Sequence, residues 1–461
     1  MTSLKVLAFV NHVAPAADIG EAIDQALEWG VDVIVAQGTG SDWGAYWLGS
    51  GEQFDTRNFR ENVRPYLRVA VAHGIPFVFS AGIAGSDAHL EACLEQFDQL
   101  CVEEGFDLEV GVLRTEVDPG WLAGVLRDGR QATALADDPS LPSPLTADDL
   151  AGVERIVGLA GPEPIVDLLG RGVAGVITGR AVDVALAIAP ALARGLPPAA
   201  AAHAAKVIEC GGLALDPGDP GLCIWAEVDR DGFEVRCPSP RSSVTPKGIA
   251  GHSFYERANP WEEKNPGGVL DLRDAAYRRT EQGVRCDGAR WHDEPYSVLL
   301  EGATRVGYRS IVVLGVRDPD LLGQARSWAD AALADLARAA RFDDLRGSYH
   351  AGVRIFGLDG VLGPLEPEKA VTGHEAAVVV DVVAPTQAQA NEIAYFLFVR
   401  LGYGPYPGRR TTAGNVAVPF MPVVQPVGPM YRFGLYHALQ LDRPDEPFRA
   451  SVERFGPRGS R

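Results

Sequence analysis

Ile75-Pro76-Phe77-Val78-Phe79-Ser80-Ala81-Gly82-Ile83-Ala84-Gly85-Ser86-Asp87-Ala88-His89-Leu90 decides the fold class. Its first six residues form an apolar run of strand length, and a glycine-rich turn then leads into a helix from Asp87. The amphipathic stretch Asn58 to His73 precedes this run. The same alternation recurs at Val6 to Val10, Ile19 to Trp29 and Val31 to Ala36, then at Leu108 to Leu113, and again at Val173 to Thr178 with a helix over Asp183 to Leu192. Strands alternating with helices of this length predict βαβ units and a mainly parallel, doubly wound sheet.

Beyond residue 213 the periodicity weakens into short strands and ordered loops as far as 295, with Gly, Pro and Asp clustered. A new pattern starts at Tyr296: strands over 296–301 and 308–315, a helix over 319–339, strands over 349–356 and 375–383, a helix over 386–402, then strands near 415–419 and 431–439. Two strand-strand-helix units in series predict a smaller α+β layer with antiparallel strands and helices on one side. The expected division is therefore an α/β domain over 1–290, an α+β domain over 291–443 and a mobile tail over 444–461. The Pro- and Ser-rich segment Pro139 to Leu145 reads as a surface connection, with helical pattern resuming at Thr146-Ala147-Asp148-Asp149.

Composition narrows the function. The 461 residues are 46% hydrophobic and 22% charged, and 61 acidic against 42 basic residues give a net charge of -19. Such a chain repels nucleic acid and anionic lipid. No apolar run reaches the roughly 18 residues that a membrane span requires, and the N-terminal run reads as a first strand, not a signal peptide. The six cysteines, at 93, 101, 210, 223, 237 and 286, show neither a C-x-x-C pair nor zinc-ligand spacing, so a cytoplasmic protein with reduced thiols is expected.

Polar clusters stand just past the predicted parallel strands, the edge at which open α/β sheets bind ligands. Gln37 to Gly44 lacks the spacing of a dinucleotide loop and the lysine of a P-loop. At Gly85-Ser86-Asp87-Ala88-His89, backbone amides suit a carboxylate or phosphate, and Asp87 with His89 suits proton transfer or a metal; Ser86 or Asp87 as a plain helix cap is the alternative. Arg180 in Thr178-Gly179-Arg180-Ala181-Val182-Asp183 reads as a carboxylate receptor at a helix start, against a surface pair with Asp183. His252, Tyr255 and Glu256 share a face if their segment is helical, as an acid/base unit or a structural cluster. Arg409 and Arg410, before the turn Ala413-Gly414, suit an anion or an inter-subunit contact.

These segments resemble the acyclic-terpene-utilisation (AtuA-like) family over nearly the whole chain. The resemblance rests on Tyr46 to Gly51, Gly85 to Leu90, Gly179 to Asp183, Glu209-Cys210-Gly211, His252 to Glu256, Pro266 to Leu272 and Pro405 to Arg409. It implies metabolism of small acids or acyl thioesters, without defining a reaction, and a small companion protein beside the chain. Two departures stand out: Gly85-Ser86 where relatives read Gly-Gly, and Ser242-Ser243-Val244-Thr245-Pro246 where they often read Arg-Cys-Thr-Pro.

The expected function is that of a cofactor-independent lyase of the hydratase type, adding or removing water beside a carboxylate or thioester. His89, His252, Tyr255 and Asp87 are the expected catalytic groups. Arg180, Ser86, Gly85, Asp183, Arg409 and Arg410 are expected to bind substrate. An enolate isomerase would use the same groups, and a non-catalytic scaffold docking the companion protein is the other class. No metal or cofactor is expected. A homo-oligomer is expected, because an antiparallel layer with helices on one side leaves a sheet face to cover.

Overall fold

The computed structural model describes residues 3–52, 57–136, 138–257, 259–370 and 372–457. The chain forms a mixed α/β fold that divides into two compact units, Met1–Thr304 with Phe433–Arg461, and Arg305–Arg432. In chain order the first unit contains β1 (Leu4–Val10), α1 (Ile19–Trp29), β2 (Val33–Gln37), α2 (Ala45–Ser50), α3 (Arg57–His73), β3 (Phe77–Ser80), α4 (Asp87–Glu104), β4 (Leu108–Arg114), α5 (Pro119–Arg127), β5 (Ala132–Ala134) and β6 (Val153–Leu159). It continues with α6 (Glu163–Leu169), β7 (Gly175–Thr178), α7 (Ala185–Ala193), α8 (Pro198–Ile208), β8 (Ile224–Val228), β9 (Gly232–Arg236) and α9 (Pro246–Phe254).

Strands β1, β2, β3, β7 and β4 lie side by side in that order, and each neighbouring pair is parallel. Antiparallel strands extend this core at both ends. β8 joins β1, followed by β9, Val284–Asp287 and Ala276–Arg279, while Arg449–Phe455 joins β4. Successive side chains of a strand point to opposite faces. Leu4, Val6, Ala8, Val35 and Val78 accordingly pack with Ile165, Leu186, Ile188 and Val207 of α6 to α8. Leu7, Phe9, Ile34, Phe77 and Phe79 pack with Ile23, Leu67, Leu90 and Phe97 of α1, α3 and α4. Each large side chain so buried contributes about 1.5–3 kcal/mol.

The glycine after β2 is there for space. A Cβ on Gly38 would lie 1.9 Å from Asn11 Oδ1 and 2.4 Å from the Ser80 carbonyl, so only glycine lets this loop pass between the ends of β1 and β3.

In the second unit, strand 308–316 pairs antiparallel with Ala376–Ala384, which pairs antiparallel with His350–Phe356. Val312, Leu314, Val378 and Val380 bury one face of this layer against Trp328 and Leu336 of the helix Ala325–Arg338, and against Ile393 and Leu397 of the helix Gln387–Tyr403. The expected antiparallel layer with helices on a buried face is present.

Several expectations need correction. Strand Ser297–Val316 is continuous where two strands were expected, and residues 415–419 supply one isolated bridge, Gly315 to Ala417, instead of a strand. The boundary expected near 290 lies within the first unit, which also takes back the chain from Phe433 onward. The expected tail is structured as far as residue 457: Arg449–Phe455 pairs with β4 along its length, and Phe455 packs on Phe97 at 5.3 Å between ring centroids. Alternating Ala450, Val452 and charged residues read as a solvated tail because the strand lies at a sheet edge. Residues 458–461 fall outside the described residues. Thr146 caps a short 3-10 turn, Ala147–Leu150, in place of the expected helix. Among the described residues no helix is long and apolar enough to cross a membrane.

Candidate functional site

The carboxyl ends of the parallel strands deliver the loops that begin at Asn11, Gly38, Ala81, Gly179 and Thr115. The sequence singled out two positions on this edge for catalysis, and they behave differently.

His89 is buried in the first turn of α4. Its Nδ1 faces Ser86 Oγ at 2.5 Å and its Nε2 faces the Glu52 carbonyl at 2.7 Å. A carbonyl can only accept, so Nε2 carries the proton and the Ser86 hydroxyl donates to Nδ1. Both ring nitrogens are thus engaged, and burial lowers the pKa despite the Glu52 carbonyl. Both hydrogen bonds tie His89 in place, to Ser86 at the start of α4 and to the backbone at Glu52. Ser86 is the N-cap residue of α4 with its hydroxyl committed to His89. Asp87 pairs with Arg449, and its backbone N–H donates to Glu116 Oε2 at 2.9 Å. Gly85 has φ +66°, and a Cβ there would lie 2.3 Å from the Arg180 nitrogen, so its role is to let two strand-end loops touch.

Arg180 is not at a helix start, since α7 begins at Ala185. Its guanidinium is buried: Nε and Nη2 donate to the two oxygens of Glu301 at 3.2 and 3.3 Å, and Nη1 donates to Asp183 Oδ1 at 3.0 Å and to the Ala181 carbonyl at 3.1 Å. Burial disfavours the charge, but Glu301 and Asp183 more than offset this and raise the pKa. An arginine whose donors are already satisfied by protein is not the carboxylate receptor expected from the sequence. Glu301 lies far along the chain, and no local pattern announces it.

Arg409 and Arg410 belong to the second unit. Arg409 donates to the carbonyls of Tyr403, Gly404, Thr411 and Thr412 and so clips its own loop together. Arg410 is exposed and pairs with Asp320 at 3.5 Å.

The second position, around His252 and Tyr255, is the centre of a polar cluster. α9 ends at Phe254, Tyr255 is extended and Glu256 has φ +59°, so the helical face expected for these three residues does not exist. Even so, the rings of His252 and Tyr255 lie 4.6 Å apart. Lys206 Nζ stands 4.4 Å from the Tyr255 ring centroid and donates to Glu209 Oε1 at 2.6 Å. Cys210 Sγ and the Tyr255 hydroxyl are 3.1 Å apart. Lys206 and Glu209 are both buried because α8 is packed on all sides through Ala200, Ala201, Ala202, Ala204 and Ala205, as a helix apolar all round must be. Asp183, half-buried between Arg180 and Gln37, is close enough to shift His12, Glu209, Cys210 and Glu263 by its charge.

The electrostatics sort these groups. Burial, then the charge of Lys206, push the His252 pKa down to about 4, leaving a neutral imidazole whose buried Nε2 has no partner among the described residues. Burial lowers His12 as well, against the pull of Asp42 and Asp183. Burial and the neighbouring Glu209 push the Cys210 thiol up to about 12, which makes it an unreactive thiol, and the same two causes raise Tyr255. Burial raises Glu209, against the attraction of Lys206. Lys206 itself is raised, because Glu209 and Glu263 outweigh its burial. The site therefore holds a cation, a neutral imidazole and protonated hydroxyl and thiol groups within one small volume.

Lys206, Glu263 and His12 were not singled out in the sequence, and Glu209 stood there only within the matching segment Glu209-Cys210-Gly211. The available signals were a lone lysine in an alanine-rich helix and a histidine just past β1. Among the described residues, no group of three or more His, Cys, Asp or Glu side chains is arranged to hold a metal ion.

No curated protein and no solved structure matches the chain. A family model does match, over residues 16–424, and its description is acyclic terpene utilisation family protein AtuA. With most of its length matched, including β2 to β9 and the helices α8 and α9 that carry Lys206 and His252, the chain belongs to the acyclic terpene utilisation family AtuA.

Proposed function

We propose that the first unit is a lyase of the hydratase type that works by acid-base chemistry on a small organic acid or its thioester, with His252 as base and Lys206 as the cation that stabilises the developing enolate. The reading treats the parallel strands as a doubly wound sheet, whose carboxyl edge is the usual ligand site. It rests on one observation above the others: a buried ammonium, Lys206, beside a neutral histidine whose Nε2 is buried and unpartnered. A buried polar nitrogen without a partner costs about 1–3 kcal/mol and is the kind of atom that a substrate satisfies.

In the reaction, His252 Nε2 takes the proton from the carbon beside the carboxyl group. The C–H electron pair forms the C=C bond as the neighbouring C–O bond breaks, and the departing hydroxide takes the proton back from the imidazolium and leaves as water. Lys206 stabilises negative charge on the carboxyl or thioester oxygen, as a fixed charge in a water-poor site does. An incoming anion also offsets the field of Lys206, which raises the His252 pKa toward the range where it is an effective base. Stopping after proton removal and returning the proton elsewhere gives the enolate isomerase, so the two reactions share one machinery.

The test is turnover of 2-hydroxy, 3-hydroxy and 2-enoic acids and of their thioesters by the purified chain alone, followed by the absorbance of the conjugated double bond. The expected result is turnover of a member of this panel, lost by about two orders of magnitude or more in Lys206→Met and His252→Asn. Turnover that appears only when a companion protein is added, and is indifferent to both substitutions, supports the scaffold reading.

A further inference from the structure

We propose that Arg257 is the receptor for the carboxylate of a small monocarboxylic acid, so that this site takes its substrate as the free acid anion and not as a thioester. The inference rests on the reading of the Lys206 and His252 cluster as the reaction site, and it chooses between the two substrate classes that reading allows.

Arg257 follows Glu256, whose φ of +59° lies in the left-handed region that a non-glycine residue seldom occupies. The Arg257 side chain is only 6% exposed. Its Nη2 pairs with Glu263 Oε2 at 2.5 Å, while Nε and Nη1 are buried with no partner among the described residues. A guanidinium carries five N–H donors in a rigid fork and always keeps its charge. One ion pair satisfies part of that fork, and buried charged donors left empty are unfavourable. Arg180 provides the contrast, because Nε, Nη1 and Nη2 of that side chain all donate to protein oxygens. Arg257 is part of the same cluster: Glu256, the residue before it, brings its Oε2 to 4.0 Å from Lys206 Nζ, and the positive charge of Arg257 is also felt at His203.

The surroundings select the anion. Asp183, Glu209 and Glu263 influence one another within this cluster, so a phosphate dianion meets more repulsion than a single carboxylate does. A planar carboxylate also matches the planar fork, whereas a neutral thioester carbonyl brings no charge to it.

The experiment is saturation-transfer NMR at millimolar concentration, read on the ligand protons of crotonate and of its neutral isostere crotonamide, with inorganic phosphate added as a competitor against the crotonate signal. Wild-type protein should bind crotonate, with crotonamide and phosphate weaker by roughly tenfold or more, the range for a hydrogen bond to a charged group. Arg257→Lys keeps a cation opposite Glu263 but not the fork, and should weaken crotonate by a similar factor; Arg257→Gln should abolish binding. A second measurement needs no variant: phenylglyoxal modification of Arg257 in wild-type protein, read by peptide mass spectrometry, should be slowed by crotonate and not by crotonamide. The proposal is overturned if wild-type protein binds no crotonate, if crotonamide or phosphate binds as well as crotonate, if Arg257→Lys binds normally, or if crotonate gives no protection. Crotonate binding without any turnover removes the lyase reading and leaves the receptor standing. Turnover of thioesters without crotonate binding does the reverse.

Discussion

Arg180→Ala is the substitution on which the sequence and the structure disagree most sharply. Read from sequence, Arg180 waits for a substrate carboxylate, and its removal should cost little stability. In the structure it faces Glu301 through two hydrogen bonds, and both side chains are only 4% exposed. Removing the arginine strands a buried carboxylate, and the Asp183, Ala181 and Thr39 oxygens lose a donor with it. Deleting one partner of a buried pair costs about 3–5 kcal/mol, because the remaining charge has neither water nor counter-charge. Urea unfolding measures this, followed by tryptophan fluorescence in the whole chain and in a Trp328→Phe background, since Trp328 is the one tryptophan of the second unit and the other seven lie in the first. The first-unit transition should shift by that amount and the second should not. The double variant Arg180→Met with Glu301→Leu should recover most of the loss, since an apolar pair of similar volume strands no charge. A single-variant shift below about 0.5 kcal/mol, the usual cost of a surface change, refutes the reasoning.

Gly85→Ala should destabilise the first unit by more than about 1 kcal/mol, seen in the same unfolding curves, because φ is +66° and the new Cβ would meet the Arg180 backbone nitrogen at 2.3 Å. Ending the chain at Asp445 removes the strand Arg449–Phe455 and uncovers the edge of β4; lower thermal stability and concentration-dependent aggregation by light scattering are expected, and an unchanged melting curve contradicts the pairing. His203, held neutral by burial and then by Arg257, has its pKa pushed down to about 3 from 6.5. The unfolded chain therefore binds the extra proton between these values, and the stability contribution is complete above the unfolded value and lost as pH falls through that window. By pH 5 the loss is roughly 2 kcal/mol, and His203→Gln should lose that much less between pH 7.5 and 5.

The parallel strands were legible because each is a short apolar run bounded by helical periodicity, and α1 was read to its ends at Ile19 and Trp29. The second unit was legible as a layer, since alternate residues of Ala376–Ala384 and of 308–316 are buried. Connections that depend on distant partners were not. Arg449–Phe455 is a strand only because β4 offers an edge, and Arg180 is a structural residue only because Glu301 comes to it. For the candidate site, position past a strand was informative and residue type misled. His89 stands in the right place, but two local hydrogen bonds consume its ring. Tyr255 reaches His252 by an extended turn that the helical spacing did not describe. Lys206 and Glu209 were hidden in a helix whose alanines disguise how deeply it is buried.

The central claim is that His252 removes a proton from the carbon beside a carboxyl or thioester group while Lys206 stabilises the charge that develops. Proton NMR in heavy water, with the purified chain and a panel of 2-hydroxy, 3-hydroxy and unsaturated monocarboxylates and their thioesters, tests it without knowledge of the product. The account predicts deuterium entering the position beside the carboxyl or thioester group of at least one of them, at a rate cut by about two orders of magnitude or more in His252→Asn and in Lys206→Met. Exchange that proceeds undiminished in both variants, or that takes place in no member of the panel, contradicts it.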